Sequence, residues 1–157
     1  MKRESCYRFI ILICLAFSMY VAPASAQSEL DGAWEVTAAS NSSDGTIENV
    51  QPSLFLFQDG YYSVLMVWGN EPRRLYEEGE DRDNISLERL QEIVSPVTGN
   101  SGRFEIDGST VIMRPTVAIS PNFMTGGSLS YEFNVEGDEL TFRNDEFDIS
   151  LTLRRLN

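Results

Sequence analysis

The stretch Ser53-Leu54-Phe55-Leu56-Phe57-Gln58-Asp59-Gly60-Tyr61-Tyr62-Ser63-Val64-Leu65-Met66-Val67-Trp68 is two apolar runs joined by Asp59-Gly60. Asp-Gly between strand-like runs marks a two-residue hairpin, because a type I′ turn needs positive φ at both central residues. With Asp59 and Gly60 in those places, Gln58 faces Tyr61, Phe57 faces Tyr62, Phe55 faces Val64 and Leu54 faces Leu65. Strand side chains alternate between faces. Phe55, Phe57, Tyr62, Val64, Met66 and Trp68 therefore share one side, and Leu54, Leu56, Tyr61, Leu65 and Val67 the other. Both sides are apolar, so the hairpin is expected to need cover on both.

Outward from the hairpin the same period continues. Upstream, Trp34, Val36 and Ala38 alternate after Asp31-Gly32, and Asn41 to Gly45 reads as a polar loop. Downstream of Gly102, Arg103-Phe104-Glu105-Ile106 runs into a second turn at Asp107-Gly108. Val111, Met113, Pro115, Val117 and Ile119 then share a side, with Pro115 predicting an edge, bulge or break. Leu129, Tyr131, Phe133 and Val135 alternate with polar residues up to a third turn at Gly137-Asp138. Leu140 and Phe142 follow, and a last strand alternates through Phe147, Ile149, Leu151 and Leu153. About eight strand candidates at near-regular spacing predict an antiparallel barrel or sandwich.

The exception lies between Asn70 and Val94. Asn70 to Asp83 reads as a loop containing the acidic run Glu77-Glu78-Gly79-Glu80-Asp81, which lacks the ligand spacing of an EF-hand. No metal and no cofactor are expected. Asn84 or Ser86 can cap a short helix through about Val94, with Leu87, Leu90 and Val94 on one stripe. Such a helix is expected to lie on the sheet, where it would cover the hairpin's second face.

The ends and the charge restrict function. Lys2, Arg3 and Arg8 precede an apolar run from Phe9 to Val21, and Ala24-Ser25-Ala26 supplies the small residues of a cleavage site. This predicts a signal peptide over 1–26, a mature domain over 27–157, and a secreted or periplasmic protein with no stable membrane anchor after cleavage. A retained N-terminal anchor is the alternative reading. Cys6 and Cys14 leave with the signal, as does Lys2, and the chain has no histidine. The mature chain then lacks the groups for a Ser-His-Asp triad, a Cys-His pair, an ordinary zinc site or a Schiff base. A formal net charge of −12, more negative once the basic start is removed, argues against nucleic acid as a partner.

In order and spacing, five segments together resemble the lipocalin-like domain family, a branch of the lipocalin and calycin group. They are Leu30-Asp31-Gly32-Ala33-Trp34, Asp59-Gly60-Tyr61-Tyr62-Ser63, Ser101-Gly102-Arg103-Phe104-Glu105-Ile106, Pro121-Asn122-Phe123 before Gly126, and Gly137-Asp138-Glu139-Leu140-Thr141-Phe142. The resemblance implies an all-β, eight-stranded antiparallel up-and-down barrel with one short helix and an internal cavity for a small hydrophobic molecule. It also implies that Trp34 packs against Arg155 where the barrel closes. The histidine that the family often carries near Met113 and Arg114 is missing, as is an arginine near Tyr131. Gly99 and Asn100 stand where aromatic residues are common. The cavity is accordingly expected to be more apolar than in relatives.

The cavity candidates are Phe55, Phe57, Tyr62, Met66, Trp68, Phe104, Met113, Tyr131 and Phe133, with Arg114 as the polar residue for a ligand with an acidic head. Eight strands also permit a barrel filled by its own side chains. A filled barrel would instead act as an interaction module or homo-oligomer through the hairpin's second face. An isomerase or cyclase using tyrosine and carboxylate groups is the third reading, and no catalytic residue is assigned.

Overall fold

In the computed structural model, which describes residues 29–41, 45–48 and 50–157, Asp59 and Gly60 take φ values of 51° and 78°. Both are positive, as a type I′ turn demands. The pairs Gln58–Tyr61, Phe57–Tyr62, Phe55–Val64 and Leu54–Leu65 follow. The expected signal segment, residues 1–26, lies outside the described residues.

The strands are β1 (Gly32–Asn41), β2 (Gly45–Glu48), β3 (Leu54–Gln58), β4 (Tyr61–Val67), β5 (Val97–Asp107), β6 (Thr110–Ala118), β7 (Leu129–Glu136), β8 (Glu139–Asn144) and β9 (Ile149–Leu156). The helix α1 (Leu87–Val94) precedes β5, and a 3₁₀ turn (Pro121–Thr125) precedes β7. From β3 onward each strand pairs antiparallel with the next, and β9 returns to β1. β1 is shared: Gly32–Glu35 pair with β3, and Ala38–Asn41 with β2. β2 and β3 therefore fill one place on the circumference in succession, and the sheet closes as an eight-place barrel. Closure leaves few free edges to template aggregation.

Two local features differ from the sequence expectations, and a third meets them. Thr46 and Ile47 pair with Ser40 and Ala39, so part of the segment read as a loop belongs to β1 and β2. β5 begins at Val97 rather than Gly102. Its start, Val97-Thr98-Gly99-Asn100, carries turn-like residues, yet all four pair with β4; tertiary pairing overrides their weak strand propensity. Pro115 does mark a bulge, since Gly102 pairs with Pro115 and Ser101 with Val117, leaving Thr116 as the extra residue.

The helix forms where expected, with Ser86 accepting a hydrogen bond from the Arg89 amide. It does not cover the hairpin. Leu87, Leu90 and Val94 remain exposed, and so do Leu54, Leu56 and Leu65. The cause is Arg89, which is buried on the opposite side of α1. Its guanidinium donates to Glu80 at 2.9 Å, to Glu92 at 2.9 Å, and to the carbonyls of Arg74 and Leu75 at 3.2 and 2.9 Å. It also holds the Glu80 carboxyl below the usual carboxylate range. The acidic loop is thus folded around Arg89, and α1 is tied to that loop.

The two ends of the chain meet where the barrel closes. Trp34 is fully buried and its indole N–H donates to the Leu30 carbonyl at 2.8 Å. Arg155, its partner in the β1–β9 register, lies 4.0 Å above the indole ring. The Arg155 guanidinium donates to the carbonyls of Asp31 and Glu29 at 2.6 and 2.8 Å. Gly32 makes this approach feasible: its φ is +132°, and a Cβ there would sit 2.9 Å from Arg155 Nη1.

A guanidinium over an indole with two carbonyl bonds contributes about 1–3 kcal/mol. Arg155→Ala is therefore expected to lower stability by about that amount in urea unfolding. Arg154→Ala removes only an exposed ion pair to Glu35 and is expected to cost less than about 1 kcal/mol. Equal costs would show that closure is not anchored by Arg155.

Candidate functional site

The inward faces of the strands meet in a lumen whose halves differ. The turns at Asp59-Gly60, Asp107-Gly108 and Gly137-Asp138 lie with Trp34 and Arg155 at one end, as the register requires. The connection 68–96, the 3₁₀ turn and the β8–β9 turn lie at the other, which forms the mouth.

Most of the predicted cavity residues point into this lumen. Phe55, Phe57, Tyr62, Met66, Phe104, Met113 and Tyr131 are all buried, while Trp68 and Phe133 are partly buried against the same core. Arg114 does not join them. It is exposed on the outer surface and ion-paired to Glu105, as strand alternation beside the buried Met113 requires. No cavity role is left for it.

Rings fill the half toward the closed end. Phe57 meets Phe104 edge-on at 5.2 Å between centroids, and Phe142 at 6.1 Å. Phe142 also meets Phe55 at 5.8 Å and Tyr131 at 5.2 Å. Since β3 and β8 stand three places apart in the closed sheet, these contacts cross the lumen and occupy it. Phe142 is the hub of the stack. Its short strand, with a single inward aromatic, gave no reason to single it out in the sequence.

Beside the rings the lining also carries polar groups, with Tyr62 opposite Phe57 and Asn100 opposite Val64 in the register. The Tyr62 hydroxyl donates to Asn100 Oδ1 at 2.7 Å. Tyr131 lies close enough to oppose the ionisation of Tyr62. The Tyr131 hydroxyl has no hydrogen-bond partner among the described residues. Asn144, also buried, donates to the Ser130 carbonyl and accepts from the Phe147 amide, both at 2.8 Å, which pins the β8–β9 turn. Trp68 donates from its indole N–H to Thr98 Oγ1 at 2.9 Å. Asn100 was not legible as a site residue because it lies in the turn-like stretch Gly99-Asn100-Ser101-Gly102, nor Asn144 because it is a polar residue ending the Leu140, Phe142 series just before a turn.

These groups can hold an apolar body and orient one polar atom. Among the described residues no cluster of His, Cys, Asp or Glu could hold a metal ion. Burial pushes the Tyr131 phenol up from its ordinary value of 10 to about 12, and burial, with Tyr131 beside it, also raises Tyr62. A raised phenol favours the neutral folded form. Its stabilising contribution is complete below pH 10 and is lost as pH climbs toward about 12. Unfolding free energy is therefore expected to fall steeply above pH 10, and Tyr131→Phe to remove about 2–3 kcal/mol of that fall. An unchanged alkaline slope in the variant would place the Tyr131 hydroxyl in water.

A sequence model of the lipocalin-like domain matches residues 32–152. The crystal structure of a lipocalin-like protein from Bacteroides uniformis ATCC 8492 superposes with a TM-score of 0.51 at 13% identity, covering 82% of this chain and 99% of that one. An uncharacterized protein from Bacteroides eggerthii DSM 20697 superposes with a TM-score of 0.47 at 8% identity, over 81% of this chain and 99% of that one, too loosely to carry an argument. No curated protein sequence matches the chain. With the match spanning most of its length and the closed barrel it describes, this chain belongs to the lipocalin-like domain family.

Proposed function

We propose that this lipocalin-like barrel binds a small apolar molecule bearing one polar group, held in the lumen. The observation that carries the reading is the gathering of Tyr62, Asn100 and Tyr131 inside an otherwise apolar barrel. As both donor and acceptor, the Tyr131 hydroxyl would be free to bond a ligand's polar atom. Met66 and Trp68 would pack against the apolar body. The ring stack around Phe142 sets the floor, so the ligand is short. Binding of this kind needs no catalytic group, and net charge plays no part in it.

Export is part of the same proposal. The basic start, the apolar run Phe9–Val21 and Ala24-Ser25-Ala26 support cleavage after Ala26 and function outside the cytoplasm. A barrel of 27–157 without cysteine is indifferent to the redox state of such a compartment.

The test uses a series of linear primary alcohols and the fluorescence of Trp68. Each added methylene contributes about 0.8 kcal/mol when buried, or about fourfold in affinity. Affinity is expected to rise by about that factor per carbon and then stop, where the chain meets Phe142. The signal is expected to vanish in Trp68→Phe with the fold retained. If no alcohol gives a saturable response, the barrel is filled along its whole length and the proposal fails.

A further inference from the structure

The outer face of the barrel carries exposed apolar side chains, among them Leu54, Leu56, Leu65, Val117 and Ile119. Across β3, β4, β5 and β6 the register sets the outward residues in rows. Leu54, Leu65 and Gly99 stand level with Ile119, whose amide donates to the Gly99 carbonyl at 2.8 Å. A Cβ on Gly99 would meet Ile119 Cδ1 at 3.0 Å and Leu65 Cδ1 at 3.3 Å, so those side chains converge above it as a ridge. The next row dips. Ser63 and Ser101 share a hydrogen bond of 2.8 Å between their hydroxyls, with Leu56 and Val117 at the two ends. Beyond the dip stands Arg103, stacked on the Tyr61 ring at 4.6 Å and without a carboxylate partner among the described residues. The result is a shallow groove of about 340 Å³ with Leu65, Val117 and Ile119 in its lining, and Arg103 stands one row beyond it.

The same chain presents the complementary shape. The α1 stripe of Leu87, Leu90 and Val94 is exposed, Leu87 by 71%. Beside the stripe stands Glu88, exposed and without a cationic partner among the described residues. Eight residues of helix span about 12 Å, and four strands span about 14 Å from first to last. Within one molecule Arg89 ties α1 to its own loop, so the stripe does not reach the groove.

We propose that the groove on β3–β6 receives the α1 stripe of a second copy of this chain. Leu90 and its neighbours rest on the Leu65–Ile119 ridge, and Glu88 faces Arg103. Two apolar surfaces and two unpaired opposite charges are satisfied together. This is charge complementarity within a strongly acidic protein of net charge −12, which would otherwise repel its own copies.

Sedimentation velocity of the purified protein over a wide concentration range tests the proposal. The native protein is expected to associate reversibly. Leu90→Glu and Val117→Glu, both at exposed positions, are each expected to weaken association about tenfold or more, with circular dichroism unchanged. Should Val117→Glu disturb the fold, Leu56→Glu replaces it. Mixing the helix variant with the groove variant is expected to recover association, because one intact helix then meets one intact groove. A native protein that stays monomeric overturns the proposal. So does a Leu90→Glu variant that associates normally, or a mixture that fails to recover.

Discussion

The architecture depends on closing β1 onto β9. An open sheet of these strands would expose two edges and the aromatic side chains of its inner face. The register Trp34–Arg155 prevents this, with the guanidinium resting on the indole and tied to the backbone carbonyls of Glu29 and Asp31. The contact joins residues separated by most of the described chain. Gly32 is favoured there by its φ of +132°, and a Cβ at that position would also crowd Arg155 Nη1 at 2.9 Å. The Gly32-Ala33-Trp34 motif is thus a closure device.

Closure divides the interior into unequal parts. Ring contacts between Phe55, Phe57, Phe104 and Phe142 occupy the end nearest Trp34, and each such pair adds about 0.5–1.5 kcal/mol beyond the area it buries. Polar side chains share this interior: Tyr62, Asn100, Asn144 and Tyr131 are buried residues among apolar neighbours, and hydrogen bonds fix the orientation of the first three. The long connection through the Arg89-centred loop adds nothing to the core and stands apart from it.

The sequence shows where such a division leaves traces. The Asp59-Gly60 hairpin was legible down to single residue pairs, because turn chemistry and strand alternation are both local rules. The placement of Trp34 and Arg155 followed from family resemblance, not from periodicity. What escaped were features set by long-range pairing. Asn100 sits in a Gly-Asn-Ser-Gly stretch that resembles a turn but is held extended by β4 and β6. The helix was legible as a helix from its cap and its stripe. Its docking was not, because one buried arginine binding two backbone carbonyls outweighs three leucine- and valine-sized contacts, and nothing local in the sequence signals that burial. Arg114 illustrates the opposite case, since alternation alone already placed it outside.

The central claim is that the lumen holds a small apolar guest beside a permanently packed ring stack. Native mass spectrometry of the protein isolated from its own host without detergent tests it most directly. The account predicts one discrete small adduct, released on denaturation. A bare protein mass under native conditions, with no mass gained against a panel of fatty acids, isoprenoids and aromatics, would contradict it and leave a solid barrel.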